Sequence, residues 1–395
     1  MADPVLVDLA REVRALAESP EHRARRALWA SLHALQPPRA LVSYGMYTHV
    51  WERDVAPPGL CAHAAGLERA IEVQLRARLW KAEHVPDDEP VLPTVWLWAP
   101  RPAVRGPLWG VDLPVARTEE AGAYKPEPPM REEGDLVLLL PPRYVEDKPA
   151  ARALIERATE LLDGVLPVKL HTDELHYGPF EWAVRMRGMD ALLYDVVDRP
   201  AFVHRLMAFV TEAMVAYHRE RERAGAVDPE ASWGFHMVWD EASTGPGGRL
   251  ADSWAYVHAQ SAASLSPAMY SEFVQPYNER IAALFGRIYY HGCEDLSRKA
   301  RVIGRIPNLR LFHVSPWTPV RPVVEALEGR CAFEVHAHPT RVLMTDTRNE
   351  MRAEMKRRHA ECGSAPHVLK LCDVERIEDA GRLRAWAEET RSVTG

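Results

Sequence analysis

Eight short apolar runs, most of them separated by amphipathic stretches, constrain the fold of this chain more than any other feature. They are 40–46 (ALVSYGM), 94–100 (TVWLWAP), 167–171 (PVKLH), 232–240 (SWGFHMVWD), 288–293 (IYYHGC), 309–316 (LRLFHVSP), 331–338 (CAFEVHAH) and 366–373 (PHVLKLCD). Each is rich in Val, Ile, Leu and aromatic residues and has the length of a buried strand. A ninth run, 136–140 (LVLLL), falls in the proline-rich segment 101–150, which reads as an insertion or lid because regular elements resume on both sides.

Helical patterns fill the intervals. Residues 199–224 place Phe202, Val203, Leu206, Met207, Val210, Met214 and Tyr217 at three- and four-residue spacing, between Asp198-Arg199-Pro200 and Gly225. Residues 266–285 open with Ser266-Pro267, a cap and first-turn pair, and carry Tyr270, Phe273, Val274, Tyr277, Ile281 and Leu284. Further helices are expected over 150–162, 295–303, 319–327, 341–360 and 376–390. Strand–helix alternation implies a parallel sheet. Eight strands favour an α/β fold of the (β/α)8 barrel type, a single domain over 1–395 with a helical extension at 1–38. No GxGxxG follows an early strand, and GPGGR (245–249) lacks the Lys-Ser/Thr ending of a phosphate loop.

A net charge of −7 argues against nucleic-acid binding, which needs concentrated positive charge. The basic stretch 352–358 is interrupted and reads as a solvated helix face. The N-terminus has no basic start followed by an apolar core, and no run is long enough to span a membrane, so a cytoplasmic protein is expected. Five cysteines in a reducing compartment are not a disulfide framework; those that matter should act as thiolates or metal ligands.

In a barrel the chemistry sits at the C-terminal ends of the strands. Those ends carry His171 and Asp173, Asp240 and Glu241, His291 and Cys293, His313 and Ser315, Glu334, His336 and His338, and Cys372 and Asp373. His291 and Cys293 are two apart, so in an extended strand end their side chains face the same way. Cys372, 79 positions after Cys293, ends another strand and completes a three-ligand set for a catalytic zinc with one open position. The alternating Glu334, His336 and His338 form the rival metal set. Cys331 starts its strand and reads as core, Cys362 as a surface or packing thiol, and Cys61 with His63 as a weak pair.

The run YYHGCEDLSRKARVIGRIPNLRLFHVSPWTPV, with RGMDALLYDVVDRPAFVHRLMAF (187–209), SLSPAMYSEFVQPYNERIAALFG (264–286), DVERIEDAGRLRAWAEE (373–389) and RRALWASLHALQPPRALV (25–42), resembles the uroporphyrinogen decarboxylase-like superfamily. The resemblance covers most of the chain and implies the same (β/α)8 barrel. True decarboxylases of that superfamily carry an arginine-rich motif after the first strand, which grips the substrate carboxylates. The equivalent VSYGMYTHVW (42–51) has no arginine. A second branch comprises zinc-dependent methylcobalamin:thiol methyltransferases, which hold zinc through a His-x-Cys and a distant cysteine; His291, Cys293 and Cys372 match that pattern. A third group carries Gly-Cys-Cys-Glu where this chain has His291-Gly292-Cys293-Glu294, and the wording of the chain is closest to it.

The resemblance to the zinc branch implies transfer of a methyl group from a small-molecule or corrinoid donor to a zinc-activated thiol. The chain lacks the D-x-H-x-x-G box, so a corrinoid (cobalamin) would come from outside, on a partner corrinoid protein. Zn²⁺ is the expected cofactor, and a homodimer is compatible with the superfamily. Asp240, Glu241 and His338 are the candidate acid–base residues; His171, Tyr290, His313, Trp239 and Gln260 are the candidate substrate contacts. The alternative is a metal-independent decarboxylase or lyase acting on a small acid. Asp240 and arginines such as Arg185 or Arg187 would then matter, and the cysteines would be core.

Overall fold

The computed structural model describes the chain except residues 103–105, 118–123, 229, 231–247 and 328. Ten strands are described: β1 Leu41–Met46, β2 Val95–Trp98, β3 Val115–Arg117, β4 Tyr124–Pro126, β5 Val168–His171, β6 Trp254–His258, β7 Arg287–His291, β8 Leu309–Val314, β9 Ala332–His336 and β10 His367–Val374. Six form a parallel sheet in the order β1-β10-β9-β8-β7-β6, in which the first strand pairs with the last. β2 and β5 make a separate parallel pair, and β3 and β4 an antiparallel hairpin within the proline-rich segment. The fold is α/β, and among the described residues no ladder closes the two parallel sheets into a ring.

Two neighbouring residues on one strand enter different cores, because side chains alternate across a sheet. Val42, Ile288, Tyr290, Phe312, Phe333 and Leu369 face the helices that cover the sheet. Leu41, Tyr289, Leu311, Ala332 and Val368 face the other way, where Trp29 and Leu32 of the helix Pro20–His33 pack onto them. Beyond that apolar layer, towards the strand C-termini, the same face turns polar: Tyr256 and His258, His291, His313, Glu334 and His336, Lys370 and Cys372. A third core joins the N-terminal helices to the β2–β5 pair through Leu6, Val13, Ile71, Val95 and Leu97.

Helix starts follow their caps. Asp3, Ser19, Asp147 and Ser266 each accept a backbone N–H of the first turn, and Thr347 with Glu350 forms a reciprocal capping box. The stretch 266–285 is two helices, Pro267–Phe273 and Gln275–Ala282, because Pro276 has no N–H to continue the ladder. Residues 136–140 are not a strand: Glu133–Leu138 is a 3-10 turn, and Val137, Leu138 and Leu140 are exposed. The expected strand 232–240 lies outside the described residues, whereas β6, where no strand was expected, pairs with β7 along its length.

Candidate metal centre

β7 delivers Tyr289 and His291 to the polar face and turns at Gly292 to present Cys293. His291 Nε2 lies 3.9 Å from Cys293 Sγ, and Nδ1 of the same ring is 2.9 Å from the Tyr256 hydroxyl on β6. Tyr256 thus fixes the ring while its other nitrogen faces the thiol. A Cβ on Gly292 would stand 2.6 Å from Glu294 Oε2, so a side chain there would push the Glu294 carboxylate aside. Tyr290 corrects an expectation: strand alternation sends it to the helix-covered core, where it stacks on Phe312 and its hydroxyl meets that of Tyr270.

Cys372 sits buried near the end of β10. The next residue, Asp373, adopts φ 56°, a left-handed conformation that Asp tolerates better than most residues, beside a register shift between β1 and β10. Tyr47, just after β1, donates to Asp373 Oδ1 at 2.7 Å. The Tyr47 phenol is pushed above its ordinary value by burial first, then by Asp373 and by both Cys372 and Cys293. Burial likewise pushes the Cys293 thiol up to about 12, with Asp373 and Glu294 adding to it, and raises Cys372. Without a cation both thiols stay protonated at neutral pH; a bound cation inverts that preference.

A layer deeper, His313 is fully buried and stacks on His291 with ring centroids 4.2 Å apart. Its Nδ1 donates to Gly292 O at 2.6 Å, and Nε2 has no hydrogen-bond partner among the described residues. Burial holds it neutral. His313, Glu334 and His336 offer three ligand atoms within 4.8 Å of one another, a group that could hold a metal ion. It is the one such group among the described residues, so His291, Cys293 and Cys372 do not converge that closely. Glu334 already has partners: Tyr289 Oη donates to it at 2.6 Å, His336 Nε2 lies 2.7 Å away, and the Lys370 ammonium is at 3.0 Å. Burial would raise its pKa, but Lys370 and then His336 outweigh burial and hold it well below the carboxylate range.

The other candidates scatter. Asp240, Glu241 and Trp239 lie outside the described residues. His171, ending β5, stacks on Trp96 and is lowered to about 4 by burial. Gln260 is exposed in the turn after β6, and His338 packs edge-on against Trp317 beyond β9. Cys331 and Cys362 are buried. His63 is engaged by Glu72 and Asp3, and Cys61 donates to Ala56 O. Glu334 and His336 meet His313 rather than His338. Sequence reasoning missed Tyr256, Tyr47, Lys370 and the half-buried Glu294. Neither Glu294 carboxylate oxygen has a hydrogen-bond partner among the described residues, and its pKa rises to about 7, chiefly by burial.

No family model matches the chain, and no curated protein is similar to it. Among solved structures, a methyltransferase from Methanosarcina mazei superposes with a TM-score of 0.55 at 13% identity, over 93% of this chain and 97% of that one. At that identity the likeness is one of fold. Among the described residues no helix is long and apolar enough to cross a membrane.

Proposed function

We propose that this chain is a zinc-dependent methyltransferase of the uroporphyrinogen decarboxylase-like superfamily, moving a methyl group from a small-molecule or corrinoid donor to a thiol-type acceptor. The observation that carries this reading is the 3.9 Å approach of His291 Nε2 to Cys293 Sγ, with the ring fixed by Tyr256. Two ligands of a tetrahedral zinc, one nitrogen at about 2.0–2.1 Å and one sulfur at about 2.3 Å, stand roughly 3.5 Å apart. The pair is therefore a small side-chain adjustment from coordination. Cys372 is the third ligand in this reading, and two thiolates with one imidazole neutralise the dication. A zinc held there supplies the Lewis acidity that makes a thiol nucleophilic at neutral pH.

The chain's own residues do the rest. Tyr256 accepts the Nδ1–H of His291, which makes Nε2 the coordinating nitrogen in this reading, as outer partners of metal-bound histidines do. Tyr47, through Asp373, holds the turn that bears Cys372. The deeper His313–Glu334–His336 group is the weaker metal candidate, because the Lys370 ammonium already neutralises Glu334. His338, His171 and Gln260, with Asp240, Glu241 and Trp239, are the candidates for proton transfer and substrate contact around the site.

The proposed scaffold is a closed (β/α)8 barrel in which the β2–β5 pair fills the gap between β1 and β6. Two contacts support it: Asp88 N donates to Val42 O at 2.7 Å ahead of β2, and Gly178 N to His258 Nδ1 at 3.3 Å after β5. The test incubates the purified chain with methylcobalamin and a panel of small thiols. Expected is zinc-dependent loss of the methyl–cobalt absorbance with thioether formation, abolished by Cys293→Ser. Turnover that survives chelation, or release of CO2 from a small acid instead, overturns the proposal.

A further inference from the structure

The helix Pro179–Arg187 carries two arginines with opposite fates. Arg187 is buried and engaged: it donates to Asp195 at 2.8 Å and to the carbonyls of Met130 and Arg131 at 3.2 and 2.7 Å. Arg185 is half-buried, yet it makes no hydrogen bond or ion pair with any described residue. Its guanidinium carbon instead lies 4.2 Å from the centre of the Tyr177 ring and 5.3 Å from that of Trp182. Aromatic faces hold a guanidinium in place without using its N–H donors, so the planar fork stays available to an acceptor. Trp182 is 4% exposed, and its indole N–H also lacks an acceptor among the described residues. Two neighbouring side chains therefore present donors that no described residue accepts, the indole N–H buried and the guanidinium open to solvent or a ligand.

This helix abuts β6, the strand that carries Tyr256. At its start, Gly178 approaches β6 so closely that a Cβ would stand 1.9 Å from the His258 carbonyl oxygen. One turn on, Glu181 accepts from Ser261 N and Oγ at 2.8 and 2.7 Å, pinning the helix to the turn after β6. From Arg185 the contacts run through Tyr177 to His258, with ring centroids 5.4 Å apart, to Tyr256 at 4.8 Å, and from Tyr256 to His291. His176 stands beside Tyr177 with ring centroids 4.5 Å apart, and Trp98, half exposed at the end of β2, stands beside His176 at 6.5 Å.

The surrounding charges select the ligand. Glu181 lies one helical turn from Arg185, while Glu174 and Asp173 are paired with Arg101 and Arg221. One cation with no ion pair but an acidic neighbour suits a single negative charge better than a dianion. A planar fork matches a planar acceptor. We propose that Arg185, flanked by Tyr177 and Trp182, is a subsite for the carboxylate of a small-molecule substrate, set across Tyr256 from His291 and Cys293. The subsite does not depend on the zinc reading.

The test is 19F NMR of 4-fluorobenzoate with the purified chain, 4-fluorobenzamide as the neutral isostere and inorganic phosphate as competitor. Expected is line broadening of the benzoate, at least tenfold weaker binding of the benzamide, and at least tenfold loss in Arg185→Gln. Arg185→Lys, which keeps the charge but not the fork, should fall between and guards against misfolding of the first variant. Zinc content and circular dichroism are measured on each variant, so failure here is distinct from failure of the metal assignment. Equal binding of benzoate and benzamide, no binding of benzoate, undiminished binding in both arginine variants, or displacement by equimolar phosphate overturns the proposal.

Discussion

Replacing Lys370 by Met tests whether the polar layer beneath the candidate metal centre is held by the buried Lys370–Glu334 ion pair. Lys370 Nζ is 3.0 Å from Glu334 Oε2, and each side chain is 1% exposed. At an effective dielectric constant of about 20, two unit charges at that distance attract by roughly 5–6 kcal/mol. Desolvation offsets much of that gain, but removing one partner leaves the other charge buried and costs about 3–5 kcal/mol. Lys370→Met leaves Glu334, among the described residues, the Tyr289 hydroxyl and the His336 ring. Urea denaturation of the single variants and of Lys370→Met/Glu334→Gln should show the double variant recovering at least about 2 kcal/mol over additivity. The pH arm has a definite sign. The depressed folded pKa of Glu334 contributes stability that is present above the unfolded value of 4.5 and lost as pH falls through the folded one. The gap between wild type and Lys370→Met should therefore be full at neutral pH and narrow in acid. A single-variant loss below about 1 kcal/mol, or additive costs without coupling, would refute the reasoning.

Three further outcomes are expected. Gly178→Ala must displace backbone, since its Cβ would lie 1.9 Å from the His258 carbonyl oxygen; a loss of about 1–3 kcal/mol or more should appear in thermal denaturation. His63 is lowered by burial, but hydrogen bonds to Glu72 and Asp3 outweigh that and raise it above 6.5. Its stabilisation is complete below 6.5 and fades as pH rises through the folded value; hydrogen exchange in the helix Pro4–Ala17, capped by Asp3, should lose protection on that rise, and His63→Gln should flatten the response. Tyr256→Phe should weaken zinc affinity by about 10–100-fold, read by competition with a chelator, while leaving the melting temperature of the metal-free protein nearly unchanged.

How much of this could be read from the sequence depends on which signals are local. β7, β8, β9 and β10 were legible because short, mostly apolar runs end in ligand-type residues. β6 was not: WAYVH is five residues of mixed character, and only its pairing with β7 makes it a strand. Tyr290 was misplaced although the sequence held the answer, since a period of two that brings Tyr289 and His291 to one face must send Tyr290 to the other. The Glu334 network was invisible for a different reason. It exists because register sets His313 beside Glu334 and His336 beside Lys370, and register between distant strands is not written in either strand alone. The helix Gly66–His84 went unread because arginines interrupt its apolar face; Arg78, for one, reaches to Leu92 O.

Two donor sets in one structure can be told apart by their elements. X-ray absorption at the zinc edge of the purified, zinc-loaded chain reads the ligands directly. The account predicts two sulfurs at about 2.3 Å and at least one nitrogen at about 2.0–2.1 Å, with one sulfur lost in Cys372→Ser. A shell of nitrogen and oxygen alone would place the ion at His313, Glu334 and His336 and contradict the central claim.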